Sequence, residues 1–273
     1  MTNMTQKAGG GLRPTLTCTT ALAFVIGLGA WSSASAGEAE AKGLLKAMSD
    51  YLAAQKTISL AYDADFEIVT KDHQKVLLAN SGTVDLSRPD KIRASRAAGF
   101  ADTEVVFDGK TVSFLGKDAN AYVQVDAPGT IEQLIETLRD KLHKPLPGAD
   151  LLVANVYDEL MTDVTEVDDL GSGVIGGVEC DHLAFRAKEI DWQIWIAQGK
   201  RPYPCRYLIT SKGVDQAPQF SIAIHDWKAG DEVAQDDFSF KAPADAKKID
   251  VKDLQNMQGA EELPSNFSTG GAQ

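Results

Sequence analysis

From Val76 to Gly129 the chain carries turn after turn and no helical period, and this stretch constrains the fold more than any other. Apolar side chains alternate with polar ones through Val76, Leu78, Val84 and Leu86, then Ile92 and Ala94, then Val105 and Phe107, then Val112 and Phe114. Successive strand side chains point to opposite faces, so the pattern predicts a meander of short antiparallel strands with one apolar face and one wet face. Asp108-Gly109 predicts a tight hairpin, because glycine tolerates the positive φ such turns need. Pro89 cannot donate to a ladder and is expected at a strand end or edge. The apolar face of this sheet needs a cover.

The period changes after Pro128-Gly129. Ile131, Leu134, Ile135, Leu138 and Leu142 recur at helical spacing, with Thr130 as N-cap and Gln133 three residues on, which predicts a helix ending near His143 before Pro145-Leu-Pro147-Gly148. Leu152, Val153, Val156, Tyr157, Leu160 and Met161 predict a second helix from about Asp150 to Met161. Upstream, Ala41, Leu45, Met48 and Leu52 give residues 38 to 56 the stripe of a first helix. Leu60, Tyr62, Ala64, Phe66 and Ile68 then alternate with Ala61, Asp63, Asp65 and Glu67, as a half-buried strand does. From Val164 the chain is extended again, through Gly173 to Arg186, Asp191 to Ala197, Tyr203 to Thr210 and Phe220 to Trp227. Trp192, Ile194 and Ile196 share a face, as do Phe220, Ile222 and Ile224, and Phe238 with Phe240 suggests a last short strand. The fold class is α+β, mainly antiparallel β, with a helical insertion between two runs of strands.

The start of the chain stands apart. Sparse basic residues, an apolar run over residues 20 to 31 and Ala34-Ser35-Ala36 make the three parts of a secretory signal, so residues 1–36 are expected to be removed. A retained membrane span needs about 20 apolar residues, more than this run supplies. Residues 37–250 then form a single domain, and residues 251–273, polar and glycine-rich towards their end, form a disordered tail. The whole chain has a formal net charge of −12, and loss of Lys7 and Arg13 makes the mature form more acidic still. Such a surface repels phosphate backbones, which argues against nucleic acid as a partner. Two cysteines, Cys180 and Cys205, survive processing, and an even pair in an exported chain favours a disulfide. On alternate strands of a flat meander they would sit beyond disulfide reach, and the alternative is two buried apolar thiols.

Catalytic chemistry is not legible. Gly171-Ser-Gly173-Val-Ile-Gly176 has the letters of a dinucleotide fingerprint, but the strand-like alternation after it supplies no helix N-terminus for a pyrophosphate. Cys180-Asp-His182 lacks a spaced partner cluster for a metal, and His73, His143, His182 and His225 are scattered. No nucleophile elbow, zinc-protease helix or phosphate loop occurs. No catalytic residue, metal or cofactor is expected.

Gly82-Thr-Val-Asp-Leu-Ser-Arg88-Pro89-Asp-Lys91-Ile-Arg93, followed by Phe107-Asp108-Gly109-Lys110-Thr-Val-Ser-Phe114, resembles the signature of the periplasmic LolA-type lipoprotein carriers and their outer-membrane receptor relatives. Over its whole length the chain is similar to a family of predicted periplasmic, secreted bacterial proteins within that superfamily. The resemblance implies a curved half-barrel sheet with helices over its concave face, periplasmic location, a lipid or lipoprotein acyl chain as cargo, a monomer, and a membrane-bound donor or acceptor as partner. Combined with the periodicity, it makes Tyr62, Phe66, Ile68, Leu86, Ile92, Phe107 and Phe114 the expected wall of an apolar cavity, with Ile131, Leu134 and Leu138 as its lid. The plain alternative for each of these residues is ordinary core. Two other functions compete: an interaction or sensor domain whose groove takes a protein, marked by a broad apolar patch without a deep cavity, and a hydrolase, marked by a polar cleft with convergent carboxylates.

Overall fold

The computed structural model describes residues 33–99, 101–140 and 148–256. The expected signal segment lies outside them except for its last residues, as do the expected helix end near His143 and residues 257–273. Helix α1 (Ser33–Ala54) is followed by six strands, β1 (Thr57–Val69), β2 (Lys75–Ser87), β3 (Lys91–Ala98), β4 (Ala101–Phe107), β5 (Thr111–Gly116) and β6 (Ala121–Asp126). Helix α2 (Ile131–Asp140), a 3-10 turn at Ala149–Leu151 and helix α3 (Val156–Leu160) come next. The chain then runs through β7 (Val164–Ile175), β8 (Val178–Ala187), β9 (Ile190–Ala197), β10 (Pro204–Ser211) and β11 (Gln219–Ala229), and β12 (Lys247–Lys248) comes last.

All twelve strands form one open, curved sheet in the order β12-β6-β5-β4-β3-β2-β1-β11-β10-β9-β8-β7. The two meanders therefore join where β1 pairs with β11. Every pairing is antiparallel except the short parallel one of β12 on β6. Register lines the alternating side chains up in rows across the concave face. One row runs Ile58, Leu86, Ile92, Phe107 and Val112 across β1 to β5, and all five are buried. Another runs Ala64, Ile222, Tyr207, Ile194 and Leu183 from β1 to β8. Helix α1 lays Ala41, Leu45, Met48 and Leu52, none more than 1% exposed, into the same core, and it packs against β7, β9 and α3.

The predicted helix over Asp150 to Met161 is broken in the structure. Its middle backbone groups bond to other elements instead of to their own i−4 partners: Ala154 N–H donates to Glu132 Oε1 at 3.1 Å, Tyr157 N–H donates to Ser49 Oγ at 3.0 Å, and the Val153 carbonyl accepts from Arg88 Nη2 at 3.2 Å. Tertiary partners thus replace helical ones at those positions. The strand expected from Gly173 to Arg186 is two strands, β7 and β8, turned at Gly176-Gly177, both at positive φ. Among the described residues the last strand is Lys247–Lys248, not Phe238 to Phe240.

The outer face is not wholly wet either. Arg93 on that face binds Glu104 and Asp236, both at 2.6 Å, and donates to the Ser239 carbonyl at 3.2 Å, while Phe240 meets Tyr122 at 5.3 Å between ring centroids. The segment before β12 is thereby strapped across β3 to β6, and the outward-facing Val106 and Leu115 are buried.

Cys180 and Cys205 are free thiols, which corrects the expected disulfide. Cys180 is in register with Ala197 of β9, and Cys205 enters β10 at the irregularity between Pro204 and Arg206, on the other side of β9. The two thiols approach each other near β9 but form no S–S bond. Both sit in a small apolar cluster around Ala197, where burial pushes each thiol above its ordinary pKa.

Candidate functional site

A cavity of about 220 Å³ opens on the concave face, walled by β1, β2, β3 and β11 and covered by Gly148, Ala149, Leu151 and Leu152. Its origin lies in residue size along the rows of the sheet. The row holding Ile58 and Phe107 is filled by large side chains, but further along β1 the rows become Tyr62, Gly82 and Arg96, then Ala64, Asn80, Ala98 and Ala101. Small side chains leave space between sheet and cover. Phe66, Leu78, Phe220 and Ile222 wall the far end.

Gly82 has a specific part in this wall. A Cβ there would lie 2.0 Å from the Ser95 carbonyl oxygen and 2.6 Å from the Tyr62 ring. Its absence lets the Tyr62 phenol lie across β2 and donate to the Ser95 carbonyl at 3.1 Å. The other polar wall residue on β2, Asn80, donates its amide to the Ala64 carbonyl at 3.3 Å.

The cover is tied down by polar contacts at two places. Arg88, of the Arg-Pro element, holds the Val153 carbonyl and stands 3.7 Å from Glu132 of α2, which accepts the Ala154 N–H. Tyr207 of β10, buried in the core, donates its hydroxyl to Asp150 Oδ2 at 3.1 Å. Burial pushes the Asp150 carboxyl above its ordinary pKa, against the opposing pull of that hydroxyl. The folded chain therefore binds this proton more tightly than the unfolded chain. It follows that the contribution of Asp150 to stability falls as pH rises from the ordinary carboxylate value through the raised folded value. Asp150→Asn keeps an acceptor for Tyr207 and removes the ionisation. Its melting temperature is expected to exceed that of the wild type at neutral pH and to converge with it below the carboxylate range. Thermal melts across pH check this, and a wild-type advantage at neutral pH would refute it.

Of the ten residues expected at the site, Tyr62, Phe66 and Ile92 line the cavity. Ile68, Leu86 and Phe107 are buried on the same face outside the cavity lining, and Phe114 packs partly buried against the core. Ile131, Leu134 and Leu138, the expected lid, are at most 4% exposed in the main core and do not reach the cavity. The capping box that starts α2 is present, with Thr130 N–H donating to Gln133 Oε1 at 3.0 Å. Sequence reasoning missed Phe220, Ile222 and Ile224 as wall residues, although their alternation was plain; only the β1 to β11 pairing brings them to β1. It also missed Arg96, which carries no periodic signal.

The model of a family described as "Predicted periplasmic protein (DUF2092)" matches residues 41–252, which takes in α1 from Ala41 on, the cavity wall and its cover. The chain belongs to that family. Membership places this DUF2092 protein in the periplasm, the compartment expected from its sequence. No curated protein matches it. Among solved structures it is similar to the Mycobacterium tuberculosis lipoprotein LppX, at 13% identity over 70% of this chain and 96% of that one, with a TM-score of 0.44. It is also similar to the Pseudomonas aeruginosa MucA/MucB complex structure, at 14% identity over 74% and 62% with a TM-score of 0.41. A third is the LolA superfamily protein NE2245 of Nitrosomonas europaea, at 11% identity over 70% and 94% with a TM-score of 0.34. All three scores are below 0.5, so nothing about ligand or partner is carried across.

Proposed function

We propose that this DUF2092 protein is an exported, non-enzymatic carrier that takes the acyl chain of a lipid or lipoprotein into the concave-face cavity. The observation that supports the reading is the cavity itself. Its volume of about 220 Å³ exceeds the roughly 150 Å³ of an engineered apolar cavity that stays dry and binds benzene. Its wall is aliphatic and aromatic apart from Tyr62, Asn80, Arg96 and the indole of Trp227. Burial of each methylene is worth about 0.8 kcal/mol, so a chain threaded along Ala64, Phe66 and Ile222 binds without any catalytic or metal group. Tyr62, Phe66 and Ile92 are its proposed contacts among the residues expected from sequence. Loading and release then require a membrane-bound donor or acceptor.

The reading includes removal of residues 1–36. Helix α1 runs through the proposed cleavage site, and a chain starting at Gly37 keeps its buried stripe Ala41, Leu45, Met48 and Leu52. One experiment addresses both parts. Protein recovered from the periplasm is expected to have the intact mass of a chain beginning at Gly37, and its organic extract is expected to contain acyl lipid. The delipidated protein is expected to bind a fluorescent fatty acid saturably. A folded protein with neither extracted lipid nor saturable binding would end the carrier reading and favour a protein-binding groove.

A further inference from the structure

Arg96 stands on the inner face of β3 between Ala94 and Ala98, opposite Gly82 of β2 and Thr103 of β4, and its side chain lines the cavity. Among the described residues, no carboxylate lines that cavity. Among the described residues, no ion pair or hydrogen bond engages this guanidinium, and its Nε is buried without a partner. The contrast with its neighbours on the chain is sharp. Arg93, on the opposite face, holds Glu104, Asp236 and the Ser239 carbonyl, and Arg88 holds the Val153 carbonyl beside Glu132. In a chain with 39 acidic residues against 27 basic ones, an unpaired cation does not reflect a shortage of carboxylates. Its position on β3 leaves it out of ion-pair reach of the described carboxylates.

The place of Arg96 is also amphiphilic. Together with Tyr62 and Gly82 it borders a second, open depression lined by Ser81, Thr83, Ser95 and Lys117. Asp63 and Asp102 lie on that side too, but Asp63 faces His225 at 3.5 Å, and Asp102 accepts the Ala98 N–H at 3.2 Å. The greasy inner-face cavity and this outer-face depression thus back onto each other at Tyr62, Gly82 and Arg96, at the level where β2 has no side chain.

We infer that Arg96 is the headgroup site of the carrier, and that the cargo is a single-chain amphiphile bearing a carboxylate or phosphomonoester. This rests on the carrier reading above and narrows it. A guanidinium presents paired N–H donors that match either anion in bidentate fashion, and such charge-assisted bonds strengthen where water is scarce. The chain lies in the apolar cavity and the anion meets the unpaired Arg96 guanidinium in the cavity wall. Neutral lipids of the same chain length lack the second half of this recognition.

The test uses delipidated mature protein and three probes of equal chain length: hexadecanoic acid, its methyl ester and hexadecyl phosphate. Wild type is expected to bind the acid and the phosphate roughly tenfold to a hundredfold more tightly than the ester. Arg96→Met is expected to abolish that preference in a protein that still folds, and Arg96→Lys to retain part of it. Acetate and inorganic phosphate, which share the headgroups without the chain, are not expected to displace the bound acid. Equal binding of acid and ester by wild type overturns the inference and leaves the carrier standing. Displacement by acetate or inorganic phosphate also overturns it, as the mark of a free-anion site, and failure of all three amphiphiles to bind removes both readings.

Discussion

Leu134→Glu is expected to unfold this protein or to lower its melting temperature by roughly 6 to 20 °C. Leu134 is 4% exposed within the main core, beside Ile131 and Leu138 on the buried face of α2. A carboxylate at this buried position loses its water on folding, which costs about 3–5 kcal/mol for an unpaired charge. At about 2–4 °C per kcal/mol for a chain of this size, that produces the stated fall. Leu134→Met conserves volume and is expected to cost less than about 1.5 kcal/mol. The pair of variants distinguishes two roles for α2. A Leu134→Glu protein that folds as the wild type does but no longer takes up fatty acid would make α2 a mobile lid over a wet space, and the buried stripe described above would be misplaced.

Much of the fold was readable because strand alternation and helix period are local signals. The β1 and β2 faces, the hairpin at Asp108-Gly109 and the capping box at Thr130 and Gln133 each depend on residues a few positions apart. What failed was decided by distant residues. The broken helix after Asp150 follows from Arg88, Glu132 and Ser49 taking its backbone groups. The outer face of β3 to β6 is covered because Asp236 and Ser239 reach Arg93 across more than a hundred residues of chain. The cavity was half legible for a related reason. Periodicity tells which face a side chain is on, but not whether the space above it is filled. Leu86 and Phe107, expected as wall, and Leu134, expected as lid, are packed core, while Ala64 and Ala94, which help make the space, were read only as members of an apolar alternation that carries no sign of a gap above them. Arg96 was invisible because a lone cation on an apolar face has no sequence signature.

Ala94→Phe is expected to abolish acyl-chain uptake without loss of stability. Ala94 lines the cavity from β3, in register with Val84 of β2 and Val105 of β4. A phenyl ring there projects into existing space of about 220 Å³, so the overpacking cost of about 1–3 kcal/mol that a filled core would impose does not arise. Aromatic residues also suit a strand, and the ring gains contacts that the cavity wall lacks at present. The melting temperature is therefore expected to stay level or rise. The ring occupies the volume a ligand chain needs, and each methylene it excludes forfeits about 0.8 kcal/mol, so displacing five or six of them weakens binding by roughly a thousandfold. A fluorescent fatty-acid titration beside a thermal melt reads both quantities on the same sample. Undiminished uptake by a folded Ala94→Phe protein would show that the acyl chain binds elsewhere, and a large drop in melting temperature would show that the space above Ala94 is already packed.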